Sequence, residues 1–235
     1  MRLIKVQVYK KKRTGGNMVL DVCDMNEAAE MVERFHYARR MPSRPAIVRN
    51  YAWRRPGGLF GDAGPAAAVA VYALPANQHL RSKGGIELAR VTREPGFQKP
   101  LSHFVAWTAR RVAEDFRPAF VISFADTAAG HHGGLYQALG WYYLGLSRCY
   151  QTVLTSDFSG EELHGREVAR RFGTQDRVRL REQLRGTQWR LGRAGDKHVY
   201  VKPMIKSLEE VCRDLRRREQ PYPKPDVMEK LRSAC

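Results

Sequence analysis

Three groups of polar residues in this sequence could do chemistry. His36 and Tyr37 close a helical stripe, Glu87 and Arg90 lie in an apolar run, and Asp126, His131, His132 and Tyr136 follow a second run. Carboxylates, imidazoles and phenols at the ends of buried elements are the groups that move protons in a reaction. Asp126 with His131 and His132 would make a two-histidine, one-carboxylate set of the kind that suits iron; loop residues of these types also serve as plain hydrogen-bonding groups. Glu87 and Arg90 are three apart, so strand alternation sends them to opposite faces, and only one would line a site. No Ser-His-Asp order and no GxSxG is present, which leaves hydrolase chemistry without support. The cysteines (Cys23, Cys149, Cys212, Cys235) form no CxxC pair, which argues against a zinc ribbon. They read as reduced thiols of a cytosolic protein, Cys149 and Cys212 as small buried hydrophobes.

The elements that must position these groups centre on residues 84–136. Ile86–Val91 reads as a strand, and residues 93–101 as a turn-rich loop. Ser102 then opens a helix with Val105, Ala109, Val112 and Phe116 on one stripe, and Ala119–Ala125 is a second strand. This β-α-β order predicts an α/β fold. The first turn of the helix at Ser102 leaves backbone N–H groups that can hold an anion, with Arg93 and Lys99 beside it; Ser102 as an ordinary N-cap is the alternative. Upstream, Asn26 caps a helix to Phe35 with Ala28, Met31 and Val32 on its inner face. Ala66–Leu74 reads as a central strand, 77–83 as a turn, and the strand at Ile86 as its antiparallel partner.

The flanks are more basic. Leu3–Tyr9 alternates like a strand, and Lys10–Arg13 runs into a turn at Gly15–Gly16. Arg39, Arg40, Arg44, Arg49, Arg54 and Arg55 alternate with Tyr51 and Trp53, a mixture that suits nucleic acid; a surface loop with inward-packed aromatics is the rival reading. Residues 141–146 and 149–154 read as strands. Residues 161–172 and 175–184 read as basic helices split by Gly173. A helix-turn-helix is one reading of that pair, although the first segment lacks a clean apolar stripe. Residues 188–191 and 198–201 read as a hairpin. Ser207 with Glu210 forms a capping box ahead of Leu208, Val211, Cys212 and Leu215. The tail from Gln220, with Pro221, Pro223 and Pro225, reads as loosely ordered.

The formal net charge is +17, from 41 Lys and Arg against 24 Asp and Glu, which points to a polyanionic partner. Nucleic acid fits better than membrane, because no apolar run reaches the roughly 20 residues that span a bilayer. No secretory or lipidation signal stands out at the start, so the expected location is the cytoplasm.

The order of elements resembles the GNAT acyltransferases, which hold the pyrophosphate of acetyl-CoA at the corresponding helix start. The loop REPGFQKP (93–100) departs from their usual pattern. The sequence is more closely similar to the Mom family of bacteriophage DNA-adenine modification proteins, a divergent GNAT branch. The resemblance rests on FHYARRMPSRP (35–45), ELARVTREPGFQKPLSHFVAW (87–107) and FVISFADTAAGHHGGLYQALGWYYLG (120–145), and more loosely on ARRFGT (169–174) and KHVYVKPM (197–204). It implies a GNAT-like mixed central sheet flanked by helices over 1–155. A basic C-terminal extension over 156–235 would pack on that core as one compact domain.

The implied activity adds a methylcarbamoyl or carbamoylmethyl group to adenine N6 in double-stranded phage DNA, inside the bacterial host, as protection from restriction. The implied cofactors are acetyl-CoA and iron. His36, Tyr37, Tyr51, Arg90, Ser102, Asp126 and Tyr136 match the family's functional pattern. Asp126 is then the base and Tyr136 the donor to the acyl oxygen. Ser102, Arg93 and Lys99 meet the cofactor phosphates; Arg90 supports their loop or pairs with Asp126. His36 and Tyr37 hold iron or the base. Arg39, Arg40, Arg44 and Arg54 contact DNA, with Tyr51 or Trp53 stacking on a flipped base. The alternatives are an inactive DNA-binding protein of this fold and an ordinary acetyl-CoA-dependent N-acetyltransferase. A homodimer is left open.

Overall fold

The computed structural model describes residues 7–8, 18–55, 64–147 and 152–224. Of the expected features, most of the strand Leu3–Tyr9, the run Lys10–Arg13 with its turn, Cys149 and Cys235 lie outside them. Two compact units are present. The first comprises Met1–Phe124, Gly133–Gly145 and Val199–Lys224; the second takes Ala125–His132 and Leu146–His198. The chain returns to the first unit after residue 198.

The strands and helices of the first part of the chain are β1 (Gln7–Val8), β2 (Val19–Val22), α1 (Met25–Phe35), β3 (Ile47–Arg54), β4 (Ala66–Ala73), α2 (Gln78–Ser82), β5 (Gly85–Arg93), α3 (Leu101–Phe116) and β6 (Phe120–Asp126). They continue with α4 (Gly134–Gln137), β7 (Tyr142–Ser147), β8 (Thr152–Ser156), β9 (Glu162–His164), α5 (Gly165–Phe172), α6 (Arg177–Gln183), β10 (Trp189–Arg193), β11 (Lys197–Pro203) and α7 (Leu208–Asp214). An eight-stranded sheet runs β1-β2-β3-β4-β5-β6-β11-β7. Strands β1 to β5 pair antiparallel, and β5 pairs parallel with β6, as the β-α-β reading requires. The mixed α/β architecture expected from the sequence is the one observed. Residues 77–83, read as a turn, hold the short helix α2.

Strand β4 is buried on both faces, with every residue from Ala66 to Ala73 inside. Val69 and Val71 pack on Ala28, Met31 and Val32 of α1. On the opposite face Tyr72 shares a 2.9 Å hydrogen bond with Thr108 of α3. The cap of α1 is Asp24, two residues earlier than expected: its carboxylate accepts from the N–H groups of Asn26 and Glu27. Helix α3 buries Val105, Ala109 and Val112, while Phe116 at its end is exposed. A further cluster joins α7, through Val211, to Phe120, Ile122, Leu144, Val199 and Val201.

The last described residues, read as loose, are tied down instead. The Gln220 N–H donates to the Tyr143 carbonyl at 2.8 Å, and the Tyr222 hydroxyl to the Trp141 carbonyl at 2.9 Å. Proline removes backbone donors at 221 and 223, so the Gln220 amide and the Tyr222 hydroxyl make the bonds.

The second unit carries a three-stranded antiparallel sheet in the order β10-β8-β9. Its core is Leu154, Leu163, Val168, Leu180, Leu184 and Trp189, with α5 and α6 supplying the helical members. The expected hairpin of 188–191 with 198–201 does not form. β10 pairs with β8, whereas β11 joins the large sheet. The segment 161–172 splits into strand β9 and helix α5. Two periodicities share that stretch, so no single apolar stripe runs through it.

Candidate active site

The site is built on an irregularity in β5. Its register against β4 pairs Glu87 with Ala73 and Leu88 with Tyr72, then skips a residue and pairs Arg90 with Val71. A β-bulge at this point resets the alternation of faces. Ala73, Val71 and Val69 share the face covered by α1, and their partners Glu87, Arg90 and Thr92 therefore share it too. The expectation that Glu87 and Arg90 face opposite sides fails for this reason.

On that face Arg90 is held firmly. Its Nε donates to the Arg40 carbonyl at 2.9 Å and Nη1 to the Ala89 carbonyl at 2.6 Å. Arg90 therefore anchors the segment that follows α1. Burial pushes its pKa down from the ordinary value, while nearby Tyr37 and Glu87 act in the opposite direction. His36 ends α1 and is buried; its Nδ1 accepts the Ala38 N–H at 3.0 Å. Tyr37 stacks on it with ring centroids 4.4 Å apart and stays half exposed.

Tyr136 approaches from α4. Its hydroxyl lies 2.7 Å from Ser123 Oγ, and Ser123 donates to the Leu88 carbonyl at 2.8 Å. Burial pushes the phenol up to about 12, with Tyr37 and Glu87 close enough to add to the effect. Tyr136 is thus a neutral donor at physiological pH. Gly133 opens α4 at φ +85°, and its Cα faces the Tyr200 ring so closely that a Cβ would sit 2.1 Å from it. Tyr200 also packs 5.1 Å from Tyr136, and burial pushes its phenol up to about 12.

The first unit therefore brings together His36, Tyr37, Glu87, Arg90, Ser123 and Tyr136. Beside them the ladder between β5 and β6 ends at Glu87–Ile122, although β5 runs on to Arg93. Past that point β5 has no strand partner on this edge among the described residues; Ser123 takes the Leu88 carbonyl, and the backbone beyond it can meet a ligand's amides.

Beyond β5 lies the loop 94–100. Phe97 anchors it against Trp53, and Glu94 pairs with Arg55. Helix α3 begins at Leu101 behind Pro100, which provides no side-chain cap. Ser102 is consequently inside the helix and not its cap. The His103 N–H already donates to the Pro100 carbonyl at 3.2 Å, which leaves the Leu101 and Ser102 N–H groups for an external acceptor, with exposed Arg93 and half-buried Lys99 nearby in the chain. A pocket of about 630 Å³ lies between this loop and the end of α1, lined by Arg34, Phe35, Arg93, Gly96 and Gln98 among others.

Several expected DNA contacts are structural. Tyr51 and Trp53 are 1% and 8% exposed and pack under α3 against Trp107, Phe97 and Phe104. Neither offers a ring face to a base. Arg54 makes a two-pronged pair with Glu27, at 2.5 and 2.6 Å. Arg39, Arg40 and Arg44 are exposed.

Asp126, His131 and His132 belong to the second unit. Asp126 accepts the Ala128 N–H at 3.0 Å and pairs with Lys197 at 3.6 Å. Among the described residues no three His, Cys, Asp or Glu side chains cluster as metal ligands. Nδ1 of His36 is occupied by a backbone amide, so any ligand set built on His36 and Tyr37 would use His36 Nε2. The histidines at 131 and 132 complete none with Asp126.

The sequence profile of the Mom protein family matches residues 17–224, which takes in every part of this arrangement. The chain belongs to the Mom protein family. Solved structures similar to this Mom protein include a Bacillus subtilis acetyltransferase in complex with CoA (12% identity, 78% of this chain and 97% of that one, TM-score 0.41). A probable GNAT-family acetyltransferase from Chromobacterium violaceum aligns at 11% identity over 86% and 93%, TM-score 0.45. The Escherichia coli ribosomal-protein-S18-alanine N-acetyltransferase aligns at 13% over 82% and 97%, TM-score 0.40. A search of curated proteins finds no match. Sequence reasoning missed Ser123 of this cluster and found Glu87 by residue type alone, since the family resemblance did not single it out. The signal was a carboxylate in an otherwise apolar strand.

Proposed function

We propose that this Mom protein transfers an acyl-type group from a CoA thioester to the N6 amine of adenine in double-stranded DNA. The observation that carries the reading is the polar cluster of Tyr37, Glu87, Arg90, Ser123 and Tyr136 beside the unpartnered edge of β5. The uncapped start of α3 fits a cofactor phosphate, with Arg93 and Lys99 neutralising it. The edge of β5 fits the amides of a pantetheine arm. Bound there, CoA supplies an activated acyl carbon.

The N6 lone pair is delocalised into the purine ring, so the amine must lose its proton as the new bond forms. Two carboxylates are candidates to take it. Asp126 is the one implied by family resemblance. Glu87 is favoured by its proximity to Tyr136 and Arg90. Tyr136, protonated throughout the physiological range, donates toward the acyl oxygen. Arg90 positions the 37–42 segment through the Arg40 carbonyl. A base stacked in a duplex is out of reach, so the adenine must be flipped out. The adduct implied by the resemblance contains a nitrogen that acetyl lacks, which transfer of an acetyl group alone does not supply. Protection of phage DNA from restriction follows from altering the base that such enzymes read.

Mass spectrometry of nucleosides from cells expressing the protein tests the reading. A modified deoxyadenosine is expected, and its absence with normal protein levels would overturn it. Glu87→Gln and Asp126→Asn, assayed side by side, assign the base: the variant that loses the adduct by about 100-fold or more while staying folded held it.

A further inference from the structure

The second unit contains a feature that the chemistry above does not use. Helices α5 and α6 follow each other across the four residues 173–176, with Gly173 in a left-handed conformation at φ +70° and Asp176 capping α6. Both helices bury one face in the unit's core, through Val168 in α5 and Leu180 in α6, with Leu184 just beyond it. The outward face of α6 is the informative one.

At about 100° per residue, Arg179 and Arg181 flank Leu180 on either side. Val178 and Glu182 lie between the two basic edges, opposite the core, and Arg185 stands in the turn that follows the helix. All five are exposed, Val178 at 64%. Other arginines of the unit are engaged: Arg171 lies over the Trp189 ring, Arg177 donates to the Gly192 carbonyl, and Arg190 pairs with Asp157. Arg179, Arg181 and Arg185 have no acidic partner among the described residues. Three unneutralised cations, two on opposite edges of α6 and one in the turn after it, stay hydrated in water and match a partner with two parallel rows of anions.

We propose that α5 and α6 form a docking module for duplex DNA. Helix α6 lies in the major groove, its arginines on the two phosphate walls and Val178 and Glu182 toward the base edges. A B-form major groove is about 12 Å wide and admits a helix, whereas the deep, narrow groove of an RNA duplex does not. Val178 can contact a thymine methyl, and Glu182 can accept from the cytosine amine. The module holds the substrate while the first unit carries the reacting groups. This proposal rests on the reading that DNA is the substrate.

The test uses the full-length protein and the triple variant Arg179→Ala/Arg181→Ala/Arg185→Ala, with a labelled DNA duplex and fluorescence anisotropy as a function of salt. Each lost phosphate contact lowers the slope of log affinity against log salt by about 0.9. Between about 50 and 200 mM salt, wild-type affinity should therefore fall about 40-fold more than that of the variant. Should the triple variant unfold, the single Arg181→Ala variant reads the same slope change at one third the size. Equal slopes for wild type and a folded variant overturn the proposal, and so does tighter binding to an RNA duplex than to DNA. Nucleoside analysis separates the two readings. Salt-dependent loss without any adenine adduct in wild type sinks the reaction and keeps the docking module. An adduct with unchanged binding in the variant does the reverse.

Discussion

Arg54 separates structure from DNA contact. Its position among arginines and aromatics suggested a phosphate ligand, yet its guanidinium is committed to Glu27 through two nearly parallel bonds of 2.5 and 2.6 Å. Glu27 also accepts the Ala66 N–H at 3.3 Å and the Cys23 thiol at 3.3 Å, so it ties α1 to β3 and β4. The side chains are 14% and 25% exposed. Arg54→Ala leaves Glu27 without its cation, in a site that water reaches only partly. Charged hydrogen bonds of this kind are worth about 1.5–3 kcal/mol each, and solvent reaching Glu27 recovers part of the loss. A net destabilisation of about 2–3 kcal/mol follows, or a melting temperature lower by about 4–12 °C.

The pH dependence has a definite sign. Arg54 holds the Glu27 carboxyl below its ordinary pKa. The stabilisation is therefore complete above the unfolded value of about 4.3 and is lost as pH falls through the lowered folded value. Urea denaturation at neutral pH and again near pH 3 should show the gap between wild type and Arg54→Ala closing on acidification. Glu27→Gln/Arg54→Met, combined with the single variants in a cycle, should return a coupling of about 2 kcal/mol. An Arg54→Ala protein as stable as wild type, with a salt slope for DNA binding reduced by about 0.9, would refute this and restore Arg54 to the DNA contacts.

Two other substitutions probe the cluster. Tyr136→Phe removes only the hydroxyl beside Ser123; stability should fall by about 1 kcal/mol while adduct formation falls by about 100-fold, measured by denaturation and nucleoside mass spectrometry. Because burial pushes Tyr136 up to about 12, the wild-type rate should show no falling limb from this group below about pH 9. Gly133→Ala places a Cβ against the Tyr200 ring at a φ of +85°, so a loss of about 2–4 kcal/mol and of modification is expected, because α4 carries Tyr136.

The sequence made the frame of the first unit legible because its elements obey simple periodicities. Ala28, Met31 and Val32 recur at helical spacing, and β4 is a continuous apolar run, and both are where expected. Longer-range choices were hidden. Residues 188–201 look like a hairpin because each half is a strand, but the two halves join different sheets. Tyr51 and Trp53 carry polar atoms among arginines, which suggests a surface. Yet 51 and 53 share one face of β3, under α3, and strand parity with tertiary packing decided their fate over composition.

The cluster itself turns on the least visible feature. Strand parity makes Glu87 and Arg90 opposites, and a regular β5 would send one of them under α3, where a charge among Tyr72 and Thr108 would have to be neutralised. The skipped pairing between Leu88 and Arg90 reverses the parity downstream of it, so both charges reach the α1 face. There Arg90 finds the Arg40 carbonyl in the segment that follows α1. A bulge leaves no composition signature at Ala89, because its cause is the fit of β5 to a neighbouring strand. The signal that could have exposed it is the pair of charges itself: two ionisable groups three apart in a buried strand fit a regular sheet poorly, and a one-residue slip lets each serve the same site.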